Sequence, residues 1–557
     1  MTVAEPEAPP GERPVTTGLS SRADGSTVPP ARERLTGRRG PSDALNGWLV
    51  TIGITLLAGF LRVWHLGTPK EFSFDETYYA KDAWSLWHHG YAQNWVDKAN
   101  QAIIAGHYSP KLMTGDPEMV VHPELGKWLI GLSEEVFGFD PFGWRFSSAV
   151  VGTLMVLVMI RLVRRLTGST LLGGVAGLLL CFDGLQLVLS RMALLDIYVA
   201  FFLLCAVACL VADRDWTRAR MAGAELRSDL ERRWGPVSGL WWRPWRLTAG
   251  VMFGLAVSSK WSAVVPLAGF ALLVVVWDSG ARRALGVRNA FWRAAVVDGV
   301  PAFGYLVVVA VLVYIASWTG WIIHAHAYET ALAHNNYGPY WGDYTKHQAH
   351  GFFPSLFQGL RSLWHYHGAV WGFHTNGLLN ATHSYQSSPE GWLVMQRPVV
   401  VSTQLNIQPG AQGCTAPAGS SCIREVVLLG TPVLWWGGVV ALLHACYAWV
   451  ARRDWRYGVA VVGLVTTWVP FFRYADRPIF SFYAITTLPF TIIAICLVLG
   501  RLLGPAVPTR RRMWGAALAG SFVVLVVLNF VWFWPVYTNA LMTTREWHGR
   551  IWFGAWI

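Results

Sequence analysis

Five stretches of this chain, Leu49–Val63, Phe146–Ile160, Val296–Ile315, Val426–Val450 and Ala516–Phe533, are almost wholly apolar. Each is near the length of about 20 residues that a helix needs to cross a bilayer. That length restricts the fold, because lipid offers the backbone no hydrogen-bond partner and only helices of this continuity satisfy their own amides. The rest of the chain agrees: 53% of its 557 residues are hydrophobic and 14% charged, and 32 are tryptophan, a composition of many spans rather than of several soluble cores. Reading along the chain gives about eleven spans, near 47–65, 143–163, 169–184, 187–211, 246–259, 261–277, 294–318, 426–449, 457–472, 480–500 and 514–534. The expected class is an all-α polytopic membrane protein.

The net charge of +12 does not point to a nucleic acid. The basic residues form short arginine blocks between spans: Arg161/Arg164/Arg165, Arg214 to Arg246, Arg282/Arg283/Arg288/Arg293, Arg452/Arg453/Arg456 and Arg501/Arg510/Arg511/Arg512. Such blocks mark cytoplasmic loops, and placing them all inside orients the chain without contradiction. The N-terminus is then cytoplasmic, the C-terminus outside, and the expected location the cell membrane. Residues 1–44, rich in Pro, Gly, Ser, Thr and Arg, lack apolar periodicity and are expected to be a disordered tail before a membrane domain over 45–557. The first apolar run starts too far in, and is too long, for a cleavable signal peptide.

This orientation leaves two large loops outside, residues 66–142 and 319–425, and loops of that size are usually functional. Cys414 and Cys422 lie in the polar stretch Gly413–Cys422 of the second. A disulfide there would close a short loop, stabilise it by roughly 2–3 kcal/mol and imply an oxidising compartment; two free thiols are the alternative. The other five cysteines fall in spans, where a thiol acts as a small hydrophobe.

The residues that could carry chemistry gather in or beside those loops. Asp75-Glu76, in Phe72-Ser-Phe-Asp-Glu-Thr-Tyr-Tyr79, is an acidic pair flanked by aromatics just after the first span. It could cap a helix, or it could take a proton from an incoming hydroxyl with its basicity raised by exclusion of water. In His122-Pro-Glu-Leu-Gly-Lys127 a helix N-terminus and Lys127 would favour a phosphate, against a turn with a solvated lysine. Arg145 ends the second span. Arg191 and Asp196 lie in the fourth, where an ion costs at least about 2.5–3.5 kcal/mol, so they either pair with each other or serve a site. Lys260 at a turn between two short spans could reach a lipid phosphate or simply snorkel. Arg473 and Arg477 sit outside against the charge trend, which invites an anionic ligand. Nine histidines of the second loop, His324, His326, His334, His347, His350, His365, His367, His374 and His383, match no zinc framework and are expected to pack and contact an acceptor. No metal or other cofactor is expected, and no Gly-rich nucleotide loop is present.

Taken in order, Phe74-Asp75-Glu76, His122-Pro-Glu-Leu-Gly-Lys127, Trp144-Arg-Phe146, Arg191 with Leu194-Leu-Asp196, Gly254-Leu-Ala-Val-Ser-Ser-Lys-Trp261 and Asn529-Phe530 before Trp534-Pro535 resemble the marks of the protein O-mannosyltransferases, in their mycobacterial and actinobacterial form. The resemblance runs from about residue 45 to the C-terminus. It departs at Glu124, where many members have a second Pro, and in the second loop, too short for the β-trefoil MIR domain of eukaryotic members.

The resemblance implies a GT-C glycosyltransferase that moves mannose, with inversion, from polyprenyl-phosphate mannose to Ser/Thr hydroxyls of proteins crossing the membrane, with the secretion translocon as a partner. It implies Asp75 as catalytic base, Glu76 assisting acceptor binding or charge balance, and Arg145 and Lys260 near the lipid phosphate, with Arg477 a further cation. Two other readings stay open: transfer of the same lipid-linked sugar to a glycolipid or cell-wall glycan, and transport of the lipid carrier. Against transport, no internal repeat is visible.

Overall fold

The structure is a computed structural model that describes residues 20–21, 27–28, 31–36, 43–224, 229–237, 241–333, 348–379 and 381–557. Most of the tail expected over 1–44 therefore lies outside the described residues, as do His334 and His347, but Ala31–Thr36 form a short helix with Leu35 buried.

Helices dominate. In chain order those of twelve or more residues are α1 (Ala44–Val63), α2 (Glu76–His89), α3 (Leu125–Phe137), α4 (Pro141–Thr167), α5 (Thr170–Cys181), α6 (Leu195–Gly223), α7 (Pro244–Ser259), α8 (Val264–Ala284), α9 (Ala290–Ser317), α10 (Phe352–Gly372), α11 (Pro432–Arg452), α12 (Trp455–Trp468), α13 (Leu488–Leu503) and α14 (Arg510–Tyr537). Among the described residues seven are long and apolar enough to cross a membrane: α1, α4, α6, α8 with its preceding turn, α9, α11 and α14. The shorter α5, α7, α12 and α13 fall where four further spans are expected, an arrangement consistent with eleven crossings.

Three boundaries differ from the sequence reading. The expected span 187–211 is interrupted: a short helix ends at Leu189, residues 190–194 turn, and α6 begins at Leu195. The expected span from 426 starts in a strand, with Thr431 and Pro432 opening α11. The span expected from 480 enters through the 3-10 turn Ser481–Thr486 before α13. The breaks hold only a few polar residues, Ser190-Arg191, Thr431 and Ser481 with Thr486-Thr487, inside otherwise apolar sequence, so window hydropathy alone could not place them.

Close packing relies on small residues, as it must where no hydrophobic effect separates helices from lipid. At Gly250 of α7 an added Cβ would stand 1.8 Å from the Tyr305 carbonyl oxygen of α9, and at Gly254 it would meet Ala310 backbone. α7 lies along α6 over most of its length. At the end of the bundle carrying the arginine blocks, Arg243, Arg246 and Arg282 are not solvated loop cations. Each is at most 2% exposed. Arg243 and Arg246 bond both Asp213 and Asp278, and Arg282 bonds Asp298 through two nitrogens at 2.6 and 2.9 Å, which locks α6, α7, α8 and α9 together.

At the opposite end the two long loops are largely ordered. The first holds α2, α3 and a hairpin of β1 (Gln93–Trp95) with β2 (Met113–Pro117). The second holds α10 and contributes to an antiparallel sheet in which β3 (Val399–Ile407) pairs with β4 (Cys422–Leu428), and β4 with β5 (Met542–Thr543) beyond the last span. This small sheet was not anticipated. Cys414 and Cys422 form a disulfide that closes the turn between β3 and β4.

Candidate functional site

The site is built around the turn that leads into α2. Phe74 takes a left-handed backbone, φ 55°, which costs an ordinary residue about 1–2 kcal/mol and is held by edge-to-face contacts with His383, Phe480 and Phe482. Asp75 follows at the N-cap position of α2, yet its side chain makes no capping hydrogen bond. The carboxylate is left for other work. Burial is the main cause that raises its pKa to about 6; the nearby ammonium of Lys260 and the Tyr79 hydroxyl one turn along α2 pull it down, and the charge of Asp196 pushes it up.

Lys260 stands at the C-terminal end of α7, 14% exposed at its side chain, and its ammonium bonds both oxygens of Asp196 at 3.0 Å. It also lies 4.4 Å from the centre of the Tyr483 ring. Asp196 is in the first turn of α6, immediately after the break at 190–194, so the interruption brings this carboxylate to the loop end of the bundle. The sequence allowed Asp196 to pair with Arg191; the structure pairs it with Lys260 instead. Arg191 turns away, and its guanidinium donates to the carbonyl oxygens of Leu61, Arg62, Trp64 and His65, the unpaired end of α1.

Beside Lys260 is a stack of imidazoles. His122 lies over His374 with ring centroids 5.5 Å apart. Burial first, then the charges of Lys260, His374, Lys127 and Arg477, hold His122 well below its ordinary pKa, so it is neutral. His374 donates from Nε2 to the Val121 carbonyl (3.0 Å), which leaves Nδ1 to accept from Arg477 Nη1 (3.2 Å). Arg477 Nε is buried with no acceptor. The guanidinium of Arg477 thus retains a donor for an anion, which makes it, with Lys260, the better placed of the cations.

Two other expected phosphate cations are committed elsewhere. Arg145 bonds Glu76 through Nε (2.8 Å) and Nη2 (2.7 Å), and its remaining donors reach the carbonyls of Leu66, Pro69 and Glu71 and the Ser73 hydroxyl. Glu76 is fully buried and also accepts from the backbone amides of Ser73 and Ala193. The acidic pair is therefore divided: Glu76 pins the turn to α4 and to the break before α6, and Asp75 faces Lys260. Lys127, expected to be a solvated or phosphate-binding ammonium, is 1% exposed and bonds Asp82 of α2 at 2.7 Å. Asn529 accepts from the Val433 amide and fastens α14 to α11.

The structure brings Tyr79, Tyr483 and His374, which the sequence offers only as members of longer runs, to the site and adds Asp82. His374 stood in the histidine-rich loop and Tyr483 in the segment beginning at Arg473, but nothing in either spacing shows which member turns inward. Among the described residues no group of three or more His, Cys, Asp or Glu side chains is placed to hold a metal ion. His367, for its part, donates to the Leu363 carbonyl and bonds the Tyr314 hydroxyl, which also accepts from Trp261.

Comparison with known proteins gives the family. Residues 52–319 match the family model described as dolichyl-phosphate-mannose-protein mannosyltransferase, and residues 359–556 match that of the C-terminal four-transmembrane region of protein-O-mannosyltransferase. Proteins named polyprenol-phosphate-mannose–protein mannosyltransferase are similar over nearly their whole length. The one from Mycobacterium tuberculosis is 36% identical over 531 residues, 93% of each chain; that of Mycolicibacterium smegmatis is 37% identical over 526 residues, 93% of this chain and 94% of the other. That of Corynebacterium glutamicum is 33% identical over 508 residues, 90% and 91%. The fold is similar to that of the Saccharomyces cerevisiae protein O-mannosyltransferase complex Pmt1-Pmt2 bound to the sugar donor, with a TM-score of 0.66 at 13% identity over 93% of this chain and 95% of that one. With an acid near a cation at the loop end of a multi-pass GT-C bundle, family models matching residues 52–319 and 359–556, and relatives 33–37% identical over at least 90% of the chain, the chain belongs to the dolichyl-phosphate-mannose-protein mannosyltransferase family of membrane glycosyltransferases.

Proposed function

We propose that this protein transfers mannose from polyprenyl-phosphate mannose to Ser and Thr hydroxyls of proteins, at the end of the bundle that carries Asp75, with that end facing out of the cytoplasm at the cell membrane. The N-terminus is then cytoplasmic and the C-terminus, with β5, outside. The observation that carries the reading is the Asp75 carboxylate, free of capping bonds, raised to about 6 and set beside Lys260.

In the reaction we infer, the acceptor hydroxyl gives its proton to Asp75 as its oxygen forms a bond to the anomeric carbon. The bond from that carbon to the phosphate oxygen breaks on the opposite face, and its electron pair leaves with the polyprenyl phosphate, so the configuration inverts. The phosphate is a leaving group of low basicity and needs positive charge rather than a proton. Lys260 and Arg477 supply it. Asp196 holds the ammonium, His374 holds the guanidinium, and neutral His122 adds no competing charge to the stack. Arg145, Glu76, Arg191 and Lys127 act at one remove, by fixing the turn, the end of α1 and the start of α3. Proteins emerging from the secretion translocon fit a site on this side.

The glycolipid or glycan acceptor is the second reading, since both acceptors would use the same base and cations. Purified protein given radiolabelled polyprenyl-phosphate mannose together with a Ser/Thr-rich peptide or with a glycolipid separates them: label on the peptide supports protein mannosylation, and label only on the glycolipid overturns it. Transfer in detergent, without any gradient, also excludes the carrier-transport reading.

A further inference from the structure

Among the described residues, nothing covers one face of α10. Phe353 is 78% exposed, Phe357 69% and Trp364 82%, with Phe352 and Trp371 at the two ends also exposed. Phe353, Phe357 and Trp364 follow one another at four and seven residues, so they form a single stripe along the helix. The opposite stripe, Gly359, Ser362, Leu363, Tyr366 and Val370, is buried. Exposed aromatic rings of this size amount to on the order of 500 Å², as much as the largest apolar patch on an ordinary soluble protein, and such a patch marks a binding surface.

Its position says what it binds. α9 is a membrane-length helix with only 17% of its apolar window buried, and its wall of Val300, Phe303 and Leu312 is exposed at 67, 60 and 60%. Two residues after α9 ends at Ser317, the short helix Thr319–Ile323 begins, and Ile323 continues the exposed wall at 71%. α10 crosses at this point: a Cβ added to Gly359 would stand 3.1 Å from the Ile322 carbonyl oxygen and 3.0 Å from the Ile322 side chain. Ile322 is five residues beyond the span, about 7–8 Å of helical rise. That reaches the outer edge of the headgroup region, which is about 5–7 Å thick on each side of the hydrocarbon core. Trp and Phe are the residues that settle there.

We propose that α10 lies on the bilayer, with Phe353, Phe357 and Trp364 seated at the boundary of headgroups and acyl chains in the leaflet nearest the site. α10 packs its buried stripe on Ile322, at the end of the exposed apolar wall of α9, which argues for lipid rather than a protein partner as the occupant. Beyond Gly372, α10 runs into the turn Phe373–Gly377 that sets His374 against His122 and Arg477. Seating α10 fixes the height of that cluster over the membrane.

A spin label tests this in the full-length protein in phosphatidylcholine nanodiscs, attached at Trp364→Cys and, separately, at Phe357→Cys, with the exposed hairpin position Asp116→Cys as the aqueous control and the unsubstituted chain as background. Both α10 labels should collide severalfold more often with dissolved oxygen than with a water-soluble nickel chelate, and the Asp116→Cys label should show the reverse. Nickel access at α10 equal to that at the control would overturn the proposal, because the stripe would then face water. Low access to both quenchers would overturn it too, because a protein surface would then cover the stripe.

Discussion

Arg145 and Glu76 meet through two parallel charge-assisted hydrogen bonds of 2.8 and 2.7 Å, with side chains 1% and 0% exposed. A guanidinium fork matches a carboxylate in this way and an ammonium does not. Removing one partner of a buried pair strands the other and costs about 3–5 kcal/mol. Arg145→Ala should therefore lower the melting temperature in detergent markedly, and Arg145→Lys should recover little of the loss. If Arg145→Ala keeps wild-type stability and loses only donor affinity, the residue binds phosphate after all and the assignment of Glu76 to the turn fails.

Asp75 must be ionised to accept a proton. With its pKa raised to about 6, turnover should rise with pH through that value and level off above it. The pH profile of kcat/KM, which reports groups of the free protein, checks this: a limb near the ordinary aspartate value of about 3.9 would mean that the base is in a wetter setting or is another group.

Lys260 lowers the Asp75 pKa and Asp196 raises it. Lys260→Met should move the acid limb above 6 and also slow turnover through the loss of a phosphate cation. Asp196→Asn removes a negative charge and should move the limb below 6. Limbs that stay fixed in both variants would show that the three groups do not share a field.

Arg477 keeps a buried, unpartnered Nε. A hydrogen bond to a charged group is worth about 1.5–3 kcal/mol, so Arg477→Ala should raise KM for the lipid donor roughly 10- to 100-fold and leave KM for the peptide near its original value. An effect confined to the peptide would place this arginine on the acceptor side.

Much of this was legible in the chain. Spans announce themselves by length and apolarity, and Asp75, Lys260 and Arg477 stand out because each is a charge where the topology offers none a simple reason. Partners were not legible. Arg191 and Asp196 are five residues apart in an apolar run, and only the turn at 190–194 decides that one reaches the end of α1 and the other Lys260. Lys127 reads as a phosphate-binding or solvated ammonium because its partner Asp82 is 45 residues away on another helix. β4 was hidden because its apolar residues merge with those of α11, and β5 because two residues carry no pattern.

The central claim is that Asp75 is the base. Single-turnover transfer from radiolabelled polyprenyl-phosphate mannose to a Ser/Thr peptide, compared for wild type and Asp75→Asn purified in equal folded amounts, tests it most directly. Asparagine keeps the size and cannot take the proton, so the rate should fall by about 10²–10⁴-fold while donor binding is retained. A rate within a few-fold of wild type would contradict the account.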